Sequence, residues 1–367
     1  MAITSACVWT IPVNMMTQLP QQWVRRRIVN ALRALGYASV VVLIQACSEV
    51  PAALDPLAEY QTRVANTLGK TPLNYQPVMV PTLPAPRELD QDIPRVSLSL
   101  LDAWRIEACP LGQLVAQRNS ALGRLQSGLT RYHHDRALTH ALAACQQQLA
   151  ASDQALAARL QQAYQAKRAT LSKQRQQALG VDPALRHALH FSDRSLANLD
   201  EDRFASAMAA LETVVYFVAQ EPDSAPLPIE RLEQALQRLH QSAYLPELWR
   251  TLWEQKHYLQ QLTPVVANIA DDAGCFSKGR PARAEVLHTV FLKYFIQSAQ
   301  AQLAISVAQG ERAAEQLAQL QQLIVHPGYQ NYVAQLRSLA ADVKHLSRAH
   351  VQPWQQFFTA CGYQPGA

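Results

Sequence analysis

Ile229-Glu230-Arg231-Leu232-Glu233-Gln234-Ala235-Leu236-Gln237-Arg238-Leu239 sets apolar side chains at intervals of three, four and three, with charged and amide residues between them. That spacing places Ile229, Leu232, Leu236 and Leu239 on one stripe of a helix, where a strand would need strict alternation. The pattern runs from 227 to 262, and Pro246 is expected to split it into two helices. On the N-terminal side, 131–180 carries Leu138, Leu142, Cys145, Leu149, Leu156 and Leu160 at threes, fours and sevens, which reads as a long helix or a bent helical hairpin with Cys145 on its apolar face. Asp182-Pro183 opens a short helix to His190, and 204–220 is another, stopped by Glu221-Pro222.

On the C-terminal side, Leu287, Phe291, Phe295, Leu317, Leu320 and Ile324 continue the period through 284–323. A last helix is expected from Tyr329 to His350, ending before Pro353-Trp354. Towards the N-terminus, Leu57, Tyr60, Val64 and Leu68 mark a helix over 54–69, and Leu98, Leu101 and Trp104 mark one over 97–108, with a further helix reaching Leu122 before Gly123. Between them Pro72, Pro77, Pro81, Pro84, Pro86 and Pro94 exclude regular helix and predict an extended segment laid over the surface. Few glycines, abundant Ala, Gln and Leu, and no convincing strand alternation give an all-α fold, a bundle of long helices.

The first 46 residues read differently. Arg25-Arg26-Arg27, the apolar run 34–46 and Ile44-Gln45-Ala46-Cys47 make a basic region, a short hydrophobic core and a small residue before a cysteine, the layout of a bacterial lipoprotein signal peptide. The apolar run is too short for the ~20 residues that span a bilayer. Residues 1–46 are therefore expected to be cleaved, with the true start at Met15 or Met16, and Cys47 to carry a diacylglycerol and an acyl chain. Several acyl chains at ~0.8 kcal/mol per methylene would anchor the protein to the membrane without spanning it. Ser48, where retained lipoproteins carry Asp, points to the outer membrane, facing the periplasm. Residues 47–53 form a short tether, 54–96 an N-terminal helix with the Pro-rich segment, and 97–367 the helical domain.

The whole chain has 33 basic and 28 acidic residues. Removing 1–46 takes away Arg25, Arg26, Arg27 and Arg33 and no acids, leaving 29 against 28. A nearly neutral mature chain removes the electrostatic case for a nucleic-acid partner. Besides the membrane reached through the lipid, an envelope protein is the expected partner. Of six cysteines, Cys109, Cys145, Cys275 and Cys361 would remain free to pair, as two disulfides in an oxidising compartment. Four cysteines allow three pairings. Nearest-in-chain pairing, Cys109 with Cys145 and Cys275 with Cys361, staples each half; buried free thiols are the alternative, and a redox-active thiol would need a depressed pKa. No C-x-x-C supports zinc.

Leu100-Leu101-Asp102, Cys109-Pro110-Leu111-Gly112 and Arg118-Asn119-Ser120-Ala121-Leu122-Gly123 resemble the hallmark block of an uncharacterised proteobacterial lipoprotein family, domain of unknown function 3080. Pro353-Trp354, Phe357 and Cys361-Gly362 are similar to that family's ending. The resemblance covers nearly the whole mature chain and carries over no catalytic residue.

Chemistry is sparse. Arg118, Asn119 and Ser120 could hold a phosphate or carboxylate, or could close a helix junction near Gly123. His133-His134-Asp135 reads as a solvated helix start, because adjacent helical residues diverge by about 100° and cannot share a metal. The polar loop from Cys275 through Lys278 to Pro281, beside Asp271-Asp272, could meet an anion or simply be a disulfide-pinned turn. Trp249, Trp253, Tyr258 and Tyr244 form a cluster that lines a groove or fills the core. There is no G-x-S-x-G elbow, P-loop or G-x-G-x-x-G. A non-enzymatic helical binding or scaffold protein with no cofactor beyond the lipid is the expectation. The alternative is a periplasmic hydrolase with a dispersed site around Arg118, Ser120 and His133.

Overall fold

The computed structural model describes residues 51–94, 96, 105–106, 109–222, 224–225, 227–275 and 280–363. The signal segment, Cys47, and the stretch 97–104 with Leu98, Leu100, Leu101, Asp102 and Trp104 lie outside the described residues, as do 276–279 of the basic loop. Among the described residues every regular element is a helix.

Helix α1 (Asp55–Leu68) buries Leu57, Tyr60 and Val64 and stops at Gly69, whose φ of 66° is left-handed and costs a glycine little. Residues 70–94 then form no regular helix apart from a 3₁₀ turn at Pro86–Glu88. Side chains of the body hold the backbone at Leu73, Gln76 and Val78. Gln61 Oε1 accepts from the Leu73 amide at 2.9 Å, Gln261 pairs with both backbone groups of Gln76, and Trp253 donates to the Val78 carbonyl at 3.0 Å. Tyr75 reaches inward and donates to Glu254 at 2.6 Å, beside Arg250.

Next come α2 (Pro110–Asn119), α3 (Ala121–Leu125) and the hairpin of α4 (Gly128–Leu149) and α5 (Gln154–Val181). The stretch expected as one helix or a bent hairpin is thus a hairpin, with Asp153 capping the second arm by accepting from Leu156 N at 3.1 Å. Helix α6 (Pro183–Leu189) follows at once. Asp182 welds this corner: it accepts from Ala184 and Leu185 at the start of α6 and from Leu129 at the start of α4, all at 2.9–3.0 Å.

Helices α7 (Glu201–Ala219) and α8 (Ile229–Gln241) pack side by side, and α9 (Tyr244–Leu262) runs through the centre. The stripe quoted above is buried at Leu232, Leu236 and Leu239, with Ile229 packed at its edge. Short α10 (Ile269–Ala273) precedes α11 (Ala282–Val290), which passes through a π-helical segment (Phe291–Ala299) into α12 (Gln300–Leu323). Helix α13 (Pro327–Ala360), about 51 Å long at 1.5 Å per residue, returns along α12.

Two apolar clusters result. The large one is built on α1, α6–α9 and α11–α13, with the bases of α4 and α5; the small one closes the far end of the hairpin with Leu111, Leu138, Leu142, Leu156 and Leu160. Disulfides staple both regions: Cys109 to Cys145 ties α2 to the hairpin, and Cys275 to Cys361 ties the end of α10 to the end of α13.

Three boundaries differ from the sequence reading. Pro246 does not split 227–262; the break is at Ser242-Ala243, and Pro246 sits in the first turn of α9, where a missing N–H costs nothing. Pro353 does not end the last helix, which continues to Ala360. An interior proline costs about 3 kcal/mol, and full burial of Trp354 and Phe357 just beyond it, at roughly 1.5–3 kcal/mol each, offsets that. Finally, α2 ends at Asn119 and not at Leu122, because Ser120 begins a new helix as its cap.

Candidate binding cleft

The hairpin's inner face, α2, α3 and the end of the extended segment enclose a cleft of about 970 Å³, a size that suits a drug-sized molecule. Its floor is apolar: Leu111 and Val115 from α2, Leu138 and Leu142 from α4 and Ala163 from α5, with Ile93, Pro94 and Val96 along one edge. Cys109–Cys145 sets the distance between α2 and α4, with Cα atoms 5.7 Å apart.

The charged side chains are unequal in number. Arg118, Arg124, Arg131 and Lys167 line the cleft against one carboxylate, Asp135. Asp135 is buried and paired with Lys167, while Arg131 Nε stands 3.9 Å from its other oxygen. Arg118 donates from Nη1 to the Gly123 carbonyl at 2.6 Å, and burial together with the positive charge of Arg131 lowers its pKa. Arg124 has no ion pair among the described residues.

The three sequence candidates separate here. Arg118 and Asn119 line the cleft, whereas the Ser120 hydroxyl is absorbed by the helix junction: it accepts from Gly123 N at 3.0 Å and donates to Gln117 O at 2.7 Å. Gly123 is required there, since a Cβ would lie 2.9 Å from the Arg118 carbonyl oxygen. His133 turns to the other side of α4, stacked on Phe217 with Nε2 2.6 Å from the Leu227 carbonyl oxygen. Ser120 and His133 therefore do not share a site.

The run His133-His134-Asp135 is not the solvated helix start expected. His134 and Asp135 are buried, and burial lowers the His134 pKa. Both faces of α4 are in use, because Arg136 on the outer side is fully buried and donates to the carbonyls of Glu221, Pro222 and Ser224. Trp249, Tyr244 and Tyr258 are core; Trp253 is partly exposed and holds the extended segment. At the basic loop, Arg280 donates to the Gly362 carbonyl at 2.8 Å and stacks on Tyr363, and Asp272 pairs with Lys70. No cluster among the described residues could hold a metal ion.

Sequence reading missed Arg124, Arg131, Asp135 and Lys167 as partners in one site. The available signal was a stripe on α4, in which Arg131, Asp135, Leu138 and Leu142 stand at i, i+4, i+7 and i+11 and share a face.

Fold and cleft define an all-helical, disulfide-stapled protein with an open amphiphilic recess. No described helix is long and apolar enough to cross a membrane. The chain belongs to the family described as Protein of unknown function (DUF3080), whose model matches residues 57–365. No curated protein and no solved structure matches it.

Proposed function

We propose that the protein is a lipid-anchored envelope lipoprotein, held on the outer membrane through acylated Cys47 and facing the periplasm, whose helical body binds a ligand without transforming it. The observation that carries the binding role is the cleft itself: an apolar floor with four cationic side chains and one carboxylate around it. The hydroxyl and imidazole that a hydrolase around Arg118 would draw on, those of Ser120 and His133, are engaged in a helix cap and in a contact on the far side of α4. The anchor rests on the sequence alone, on the basic, apolar and cysteine-terminated layout of residues 25–47.

The test is the intact mass of the protein extracted from membranes, alkylated with and without prior reduction. A species beginning at acylated Cys47, with Cys109, Cys145, Cys275 and Cys361 alkylated only after reduction, is the expected result. Retention of residues before Cys47, or a mass without acyl chains, refutes the anchored reading.

A further inference from the structure

We propose that the cleft takes a single-chain anionic amphiphile, a phosphate- or carboxylate-headed lipid, with its head among Arg118, Arg124 and Arg131 and its chain over the apolar floor. This deepens the binding reading above and rests on it. The first ground is charge. Lys167 already neutralises Asp135, so among the described residues the three guanidinium groups face the cleft with no close carboxylate, Arg131 having only the 3.9 Å approach to Asp135. Guanidinium forks match the planar or tetrahedral oxygens of carboxylate and phosphate. A bare anion would use that corner alone and leave Leu111, Val115, Leu138 and Leu142 uncovered.

The second ground lies at the rim. Leu122 and Leu125 are 79% and 78% exposed on α3, the same five-residue helix that supplies Arg124. Paired leucines flanked by arginines suit the boundary between acyl chains and head groups, where apolar tips insert and guanidiniums stay with phosphate.

The full chain in phosphatidylcholine nanodiscs tests this, with two photoreactive probes: a twelve-carbon alkyl phosphate and lauric acid, each with a diazirine near the chain end. Crosslinks mapped by peptide mass spectrometry are expected on 111–115 and 138–142. Dodecyl phosphate should compete; dodecyltrimethylammonium and inorganic phosphate at the same concentration should not. Arg131→Glu, a half-exposed position whose loss leaves the core intact, should cut crosslinking at least tenfold with an unchanged melting temperature. Preference for the phosphate probe would point to a phospholipid-derived ligand and preference for laurate to a fatty acid, and either supports the proposal. Equal competition by the cationic amphiphile, displacement by inorganic phosphate alone, or full crosslinking in Arg131→Glu overturns it while leaving a binding cleft in place. No crosslink in the cleft with either probe overturns the cleft's binding role as well, with the lipid anchor decided separately by the mass measurement.

Discussion

Removing the Cys109–Cys145 bond by Cys109→Ala with Cys145→Ala should open the cleft end of the hairpin while the rest of the bundle stays folded. The bond closes a loop with a sequence separation of 36, for which chain entropy gives about 3.8 kcal/mol. Against this, α2 buries only Leu111 completely, a contribution of about 2 kcal/mol. The cross-link therefore outweighs packing in holding α2 on the hairpin. The small cluster of Leu138, Leu142, Leu156 and Leu160 depends on α2 as its lid. Loss of 3.8 kcal/mol raises the open population by between two and three orders of magnitude. Hydrogen exchange read by mass spectrometry should show amides of 138–160 losing protection by that factor, while those of 244–262 in central α9 are unchanged. Exchange at 138–160 within about threefold of the parent protein would refute the reasoning, because packing alone would then hold α2.

Gly310→Ala should destabilise the protein despite alanine's helix preference of about 1 kcal/mol. A Cβ there would lie 2.8 Å from both Ala340 Cβ and Leu252 Cδ1, so α9, α12 and α13 must part at a typical overpacking cost of 1–3 kcal/mol; urea unfolding showing a gain in stability would contradict the close approach. His350 predicts a pH effect. It is buried against Tyr60, 3.0 Å from the tyrosine hydroxyl, and burial pushes its pKa down to about 3. The unfolded chain takes up the proton near pH 6.5 and the folded chain does not, so this stability is complete above 6.5 and is lost as pH falls from 6.5 towards 3. Between pH 7.5 and 5.0 the loss is about 2 kcal/mol, and His350→Gln should shrink the stability difference between those pH values by that amount. Burial also lowers the pKa of His134, His187, His257 and His288, so an acid limb remains in the variant.

Helical period was legible wherever apolar residues were spaced for it, as in Leu232, Leu236 and Leu239 or Phe291 and Phe295, because that period is local to a few turns. Prolines misled where neighbours decided their cost. Pro246 falls among first-turn amides that need no helical partner, and Pro353 is carried by buried Trp354 and Phe357, with Trp354 packed on Tyr60 and Phe291 that arrive from elsewhere in the chain. The disulfide pairs agree with nearest-in-chain pairing, since each cross-links elements that pack as neighbours.

The chain by itself determined that this protein is helical, which residues of each helix turn inward, and which cysteines could staple it, since these follow from side-chain spacing and short-range sterics. Only the tertiary structure decided the cleft. Ile93, Arg118, Arg131 and Lys167 come from four separate segments, and the electrostatic field they create is a sum over positions in space that no local pattern encodes. The same juxtaposition removed Ser120 and His133 from any common site, because a helix cap and the packing of α4 against Phe217 claimed them first.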